Sequence, residues 1–243
     1  MSFTNIFSNV LPVTIGTGNA AKHYQVSRAL LKAKTQYFEN ALLANENTPD
    51  KGTVKFPDVR PIVFDFYYPT WVSGEFKVPN CTVTVTERRD WEAQAKVFRF
   101  QLRLIRMYIL GELLGDTEFM DLTIDAIATS LTTYGFSASK LLVEIYAKSI
   151  PGSQVRRLFV AVIAAQFKPG YFDSVKNIPI ECYRDVLNEM AHTVAILRGP
   201  DYLYDNHMGW KEWLKWSIDD FHVHPAEVVQ SPAGMSPAEP MEE

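Results

Sequence analysis

Apolar and polar positions change period several times along this chain, and each change marks an element. Val10–Ile15 (VLPVTI) reads as a strand, which Pro12 would confine to a sheet edge or a bulge. Gly16-Thr17-Gly18-Asn19 is a turn, and Tyr24 and Val26 alternate with polar neighbours as a second strand. Helical spacing then takes over at Leu30 and Leu31, followed by Tyr37, Phe38, Ala41 and Leu42, with Ser27 and Thr35 as N-caps of two short helices. Lys32 and Lys34 suit the carbonyl end of the first. A polar run from Asn45 to Gly52 separates these from a third strand over Thr53–Pro57. Pro61 opens a helix with Val63, Phe64, Phe66 and Tyr67 on its apolar face, and Pro69 should kink or end it early.

Phe76–Ala95 is irregular. Cys81–Thr86 (CTVTVT) alternates β-branched residues and predicts an extra strand, while Glu87-Arg88-Arg89-Asp90 reads as solvated loop. Val97–Gly115 is the strongest helix. Phe98, Leu102, Ile105, Ile109 and Leu113 share a face that Leu104, Tyr108 and Leu110 widen, leaving Arg99, Arg103 and Arg106 as a polar stripe. Asp116 caps a following helix with Met120, Ile124, Ile127 and Leu131 inward. Beyond Tyr134 the pattern stays helical. Ser139–Ile150 carries Leu142, Ile145 and Tyr146; Pro151-Gly152 breaks it; Ser153 caps a helix with Val155, Leu158, Phe159, Val162 and Ile163 inward. After a linker over Lys168–Pro179, Pro179 opens a helix with Tyr183, Leu187, Met190, Val194 and Leu197 in register.

The chain has 243 residues, 47% of them hydrophobic and 13% aromatic, enough to bury a proper core. A formal charge of −4 argues against a nucleic-acid partner, which calls for a basic face. Met1–Asn9 lacks the features of a secretory leader, and no apolar run is long enough to span a membrane. Cys81 and Cys182 are therefore expected as free thiols in the cytosol or nucleus, and the glycosylation pattern Asn80-Cys81-Thr82 carries no weight there.

The stretch His23–Leu43 resembles the opening of a BTB/POZ domain, in which a strand precedes a Leu-Leu pair and a Ser-x-Tyr-Phe motif. The matching residues are Tyr24, Val26, Leu30, Leu31, Thr35, Tyr37 and Phe38, with Ser27 where the family usually has His. Val54–Pro57 is similar to the strand that follows, and Trp71-Val72-Ser73-Gly74 to the family's Leu-Tyr-Thr-Gly close. Leu104, Tyr108, Leu110 and Leu114 resemble the family's core helix, and Leu122 and Ala126 fit the next one loosely. Tyr146 and Pro151-Gly152 through Leu158, with Phe221–His224, look like the C-terminal extension of small fungal BTB proteins. The resemblance implies an α+β, mostly α fold: a BTB/POZ domain over residues 10–134 with a small mixed sheet and helical hairpins. A short tail over residues 1–9 would precede it, and an all-helical extension over 135–224 and a disordered tail over 225–243 would follow. It further implies a non-enzymatic interaction module that self-associates as a homodimer or docks on a cullin-type ubiquitin-ligase scaffold as a substrate adaptor. Asn9 and Ser27 stand where the family's dimers place an Asp and a His, so the usual charge pair is missing. Gly74, Phe76, Asp116 and Phe119 are the other interface candidates of the domain. Pro69 and the long insert after Phe76 alter the region that would face a cullin.

Gly16-x-Gly18-x-x-Ala21 after a strand copies part of a dinucleotide fingerprint and would suit an oxidoreductase, but the residues after it alternate, so a hairpin turn is the better account. His222 and His224 with Asp219, Asp220 and His207 have metal-ligand types without metal-ligand spacing; they read better as the end of the last helix. Trp210, Trp213 and Trp216 are spaced for one helix face, an anchor patch or a surface docked on its own domain, and Trp210 and Trp213 are kept as interface candidates. An apolar surface left by that helix would suit a scaffold that only self-assembles. The arginine stripe could take an acidic partner but reads first as the solvated side of its helix. Ser231-Pro232 and Ser236-Pro237 are phosphorylation candidates. No catalytic set, cofactor, metal or small-molecule substrate is expected.

Overall fold

A computed structural model describes residues 10–27, 37, 40, 52–84, 90–135, 138–166, 178–197 and 218–223. Three strands, β1 (Val10–Ile15), β2 (Lys22–Ser27) and β3 (Val54–Phe56), form a mixed sheet in the order β2-β1-β3. Alternation sends Leu11, Val13 and Ile15 into the core, and Thr14 and Pro12 away from it. The β1–β2 pair is antiparallel with Val10 opposite Ser27, and β3 lies parallel to β1 with Val13 opposite Val54. The connection between β1 and β2 is a turn through a short 3-10 segment, Gly18–Ala20, as the hairpin reading predicts. Gly16 takes a φ of 82° there, and a Cβ on it would sit 3.2 Å from the Pro61 ring, so glycine meets both constraints. A strand rather than a helix follows these glycines, so the dinucleotide geometry is absent from this turn.

β1 is the central strand, which corrects the expectation that Pro12 would keep it at an edge. The parallel ladder with β3 begins only at Val13, so on that side Pro12 lies beyond the ladder and its missing N–H breaks no bond there. The antiparallel partner of Pro12 is Gln25, whose carbonyl instead accepts the Tyr68 hydroxyl at 3.2 Å.

Helix α1 (Pro61–Ser73) starts on its proline and continues past Pro69 to Ser73, so that proline does not end it early. Hydroxyls brace the proline's neighbourhood: Ser73 Oγ donates to the Pro69 carbonyl at 2.8 Å, and Thr70 Oγ1 to the Glu75 carbonyl at 3.2 Å. Burial of Val63, Phe64, Tyr67, Thr70 and Trp71 holds the rest. Gly74, at φ 71°, then stops the helix in the left-handed region. Residues 81–84 form no strand. Val83 packs instead with Ala93 and Val97 in a small satellite cluster, and the Cys81 carbonyl accepts from Tyr134 rather than from a ladder partner.

Helix α2 (Trp91–Leu114) begins six residues before the predicted start, because the Asp90 carboxylate accepts from Ala93 N–H at 3.3 Å and caps it. Its buried side is centred on Leu104, Met107, Tyr108 and Leu110; Ile105 is buried too, while Phe98, Leu102 and Ile109 are only half-buried and Leu113 is exposed. The true inward face is the one assigned as the widening. Helix α3 (Thr117–Tyr134) follows from its Asp116 cap with Met120, Ile124, Ile127 and Leu131 buried as predicted. The α2–α3 crossing is close at Gly111, where a Cβ would lie 2.8 Å from Met120 Cγ.

Helices α4 (Ala138–Lys148), α5 (Gln154–Gln166) and α6 (Ile180–Leu197) make up the C-terminal part. Val155, Leu158, Phe159, Val162 and Ile163 are fully buried, as their spacing predicts. In α6 the register is shifted by one: Cys182 and Val186 are the buried pair, while Leu187 faces solvent. One continuous apolar cluster runs from Leu11 and Val54 through α1, α2 and α3 to Leu141, Phe159 and Val186. The C-terminal helices therefore pack on the sheet-bearing part and share its core.

Candidate interaction surface

The sequence-derived candidates scatter. Ser27 ends β2, half-buried, opposite Val10. Asn9, Trp210, Trp213, Ser231 and Ser236 lie outside the described residues, as do His207 and His224. Gly74 is exposed at the end of α1, and Phe76, half-buried, sets its ring edge-on to Phe119 at 5.7 Å. Asp116 and Phe119 are 5% and 1% exposed. Neither can meet a partner at the surface, and both have interior work. The Asp116 carboxylate accepts Phe119 N–H at 3.1 Å and the Tyr67 hydroxyl at 3.0 Å, tying α1 to the start of α3. The Tyr67 ring lies edge-on to Phe119 at 4.8 Å. Burial and the adjoining carboxylate push the Tyr67 hydroxyl far above its ordinary range, so it stays a donor.

The β2 edge is pinned to α1 in a similar way. Asp65 accepts from Lys22 at 2.6 Å and from the Tyr24 hydroxyl at 2.7 Å, and the Tyr24 ring packs on Phe64 at 4.7 Å. His23 bonds Thr14 on the same exposed side.

The motif Tyr146…Pro151-Gly152-Ser153…Arg156 is the corner between α4 and α5. Arg156 reaches back over the end of α4, donating to the carbonyls of Tyr146 (3.0 Å) and Ser149 and to Ser149 Oγ (2.9 Å). Its guanidinium lies 4.6 Å from the centre of the Tyr146 ring. A cation over orphan helix carbonyls is a C-cap made from the next helix. Glu112 of α2 accepts Ile150 N–H at 3.0 Å from the other side, and burial raises its carboxyl pKa despite that bond. The Tyr146 hydroxyl donates to Asp185 of α6 at 2.8 Å. Cys182 beside it is buried, which pushes its thiol up to about 11 and suppresses the reactive thiolate.

The segment that would carry the last helix lies outside the described residues. His222 follows a 3-10 turn, Ile218–Phe221, that straps back onto α3: Phe221 is buried, Val223 N–H donates to Asp121 at 2.6 Å, and the His222 ring bonds Asp125 at 2.9 Å. Asp121 and Asp125 were missed, because nothing in a sequence pairs residues about a hundred positions apart without a known partner pattern. The arginine stripe is also more than a solvated face. Arg103 sits 5.6 Å over the Phe66 ring, and Arg106 donates to Glu144 of α4 at 2.7 Å, while only Arg99 is exposed. Burial opposes ionisation of Glu144, but hydrogen bonds from Arg106 and Lys148 outweigh it and hold the carboxyl below the usual glutamate range.

The described polar clusters thus hold helices to one another. Among the described residues no three potential metal ligands converge, and no helix is long and apolar enough to cross a membrane. No family model matches the sequence, and no curated protein matches it.

Proposed function

We propose that the chain is a protein–protein interaction module of BTB/POZ type, with no chemistry of its own, that self-associates or docks on a cullin-type ubiquitin-ligase scaffold as a substrate adaptor in the cytoplasm or nucleus. The observation that carries the reading is the order of elements. An antiparallel β1–β2 hairpin, a third strand laid parallel to β1, a helix closing on Gly74 and an α2–α3 hairpin support the reading, while the helix pair expected between β2 and β3 lies largely outside the described residues. Ser27, one of the two positions of the family's dimer charge pair, ends β2 opposite Val10, and the other, Asn9, lies outside the described residues. With Asn and Ser there, any dimer forms without that ion pair.

A calorimetric titration of the full chain against a cullin N-terminal domain, with the mass followed by light scattering, tests the reading. Binding at about micromolar Kd supports the adaptor. A dimer that ignores the cullin domain leaves self-association as the function, and a monomer that ignores it overturns both. One observation favours pure self-assembly as a second reading: α6 presents Ile180 at 74% and Leu187 at 61% exposure. Leu187→Glu would then lower the measured mass.

A further inference from the structure

The loop from β3 to α1, the last turns of α2 and the end of α4 enclose a small groove. Val59, Val63, Ile109 and Leu113 give it an apolar lining, and Arg60 and Lys148 stand at its rim. Its volume is about 60 Å³, far below the roughly 300–1,000 Å³ of a small-molecule or cofactor site. One aliphatic side chain is what such a cavity accommodates. Leu113, at 44% exposure, extends the apolar surface outward.

The charge around the groove runs against that of the chain as a whole, whose formal net charge is −4. Arg60 is exposed; Arg106 lines the groove from α2; Lys148 closes it from α4. Arg99 and Arg103 continue the cationic row along preceding turns of α2, and Arg103 over Phe66 places that row on the seam with α1. Two carboxylates oppose these cations: Asp58 in the lining, and Glu144, held by both Arg106 (2.7 Å) and Lys148 (3.1 Å). Glu112, next to Leu113, turns its carboxylate to Ile150 N–H in the α4–α5 corner. A cationic excess beside a socket for one apolar side chain is complementary to a chain segment carrying both features.

We infer that this groove docks an acidic, amphipathic segment of a partner protein, which seats an aliphatic side chain against Val63, Ile109 and Leu113 and lays its carboxylates along Arg60, Arg103 and Lys148. The inference rests on the lining of the groove and stands whether or not the chain binds a cullin.

Selection of a phage-displayed library of random peptides of about twelve residues on the full chain tests it. Peptides recovered should be net acidic and carry a recurrent Leu, Ile or Met. Fluorescence anisotropy of a labelled peptide should show the Kd rising about tenfold for Leu113→Glu and about fivefold for Arg60→Glu/Lys148→Glu. Affinity should fall between about 50 and about 300 mM salt. Thermal melts of the variants verify folding, and the milder Arg60→Ala, at an exposed side chain, keeps the test open if the double variant unfolds. Recovery of peptides without acidic bias, of none that bind, or of peptides held equally by the variants overturns the inference. So does a dimer mass that falls to monomer in Leu113→Glu, which would make a second copy the occupant.

Discussion

Of the tyrosine–aspartate bonds among the described residues, those of Tyr67 and Tyr146 differ in what surrounds them. In the sheet-bearing part, Tyr67 donates to Asp116 inside the core, where neither partner reaches water and the carboxylate also caps α3. In the C-terminal part, Tyr146 donates to Asp185 at the margin of the fold; the Asp185 side chain is 35% exposed, and Arg156 covers the Tyr146 ring. Similar bonds of 3.0 and 2.8 Å therefore have different stakes. Removing an acceptor from a sealed site leaves a buried donor unpaired, whereas at a margin water replaces it. The first joint carries the larger share of stability. The second can be adjusted.

The largest effect expected is for Asp116→Ala. Loss of the cap costs about 1 kcal/mol, and the unpaired Tyr67 hydroxyl about 1–3 kcal/mol more. A fall in Tm on the order of 10 °C in calorimetry follows from that cost in a chain of this size. Asp185→Ala should lower Tm by no more than a few degrees, since about 1 kcal/mol or less is at risk there. Equal losses would show that the two joints are equivalent and break the comparison. Asp116→Asn sharpens it: Asn caps as well as Asp, so a smaller loss than with Ala isolates the share due to the cap.

Arg156→Ala comes next. It removes the donor for two carbonyls and a hydroxyl at the end of α4 and the cation over Tyr146, together about 2 kcal/mol. Amide hydrogen exchange should quicken at the last turn of α4 well before it does in α2. Uniform quickening would mean that the corner and the sheet-bearing core open as one unit. Tyr146→Phe should cost about 1 kcal/mol or less, because Asp185 can hydrate; a loss matching that of Asp116→Ala would put the second joint in the sealed class.

The contrast also explains what the sequence could reveal. Capping is local, so Asp116 and the α3 face from Met120 to Leu131 were legible from spacing alone. Faces settled by neighbours were less so. The α2 surface is rotated because α1, α3 and α4 surround it, and only tertiary packing decides which apolar residues face inward. Leu187 was misplaced for the same reason: α6 offers two apolar rows one residue apart, and contact with α5 selects Cys182 and Val186. Pro12 and Pro69 carry their usual restrictions, but β3 pairs with β1 only from Val13 onward, and burial of Thr70 and Trp71 carries α1 past Pro69. The corner motif was visible as a string, but Arg156 as a cap on the preceding helix was not, since that bond depends on how the chain turns at Pro151-Gly152.

The smallest effects test the margin of the second region through pH. Glu144 has its carboxyl held below the ordinary range, because bonds from Arg106 and Lys148 outweigh burial. Its contribution is present above the unfolded pKa and is lost as pH falls through the folded one, so its window lies on the acid side of the glutamate range. Glu112 is the opposite case: burial raises its pKa, so it favours folding while protonated and loses that contribution as pH rises through the folded value. Melting temperatures of Glu144→Gln and Glu112→Gln relative to the parent, across about pH 3 to 7, separate the two. The Glu144→Gln deficit should shrink toward acid, by about 1 kcal/mol, since the Lys148 side of the cluster is open to solvent. Glu112→Gln should instead gain on the parent as pH rises, provided that its amide oxygen keeps the Ile150 N–H. A deficit for Glu112→Gln that grows with pH would mean that the ionised carboxylate, through Ile150 N–H, stabilises the corner more than burial opposes it. The α4–α5 corner would then belong with the sealed joint of the first region.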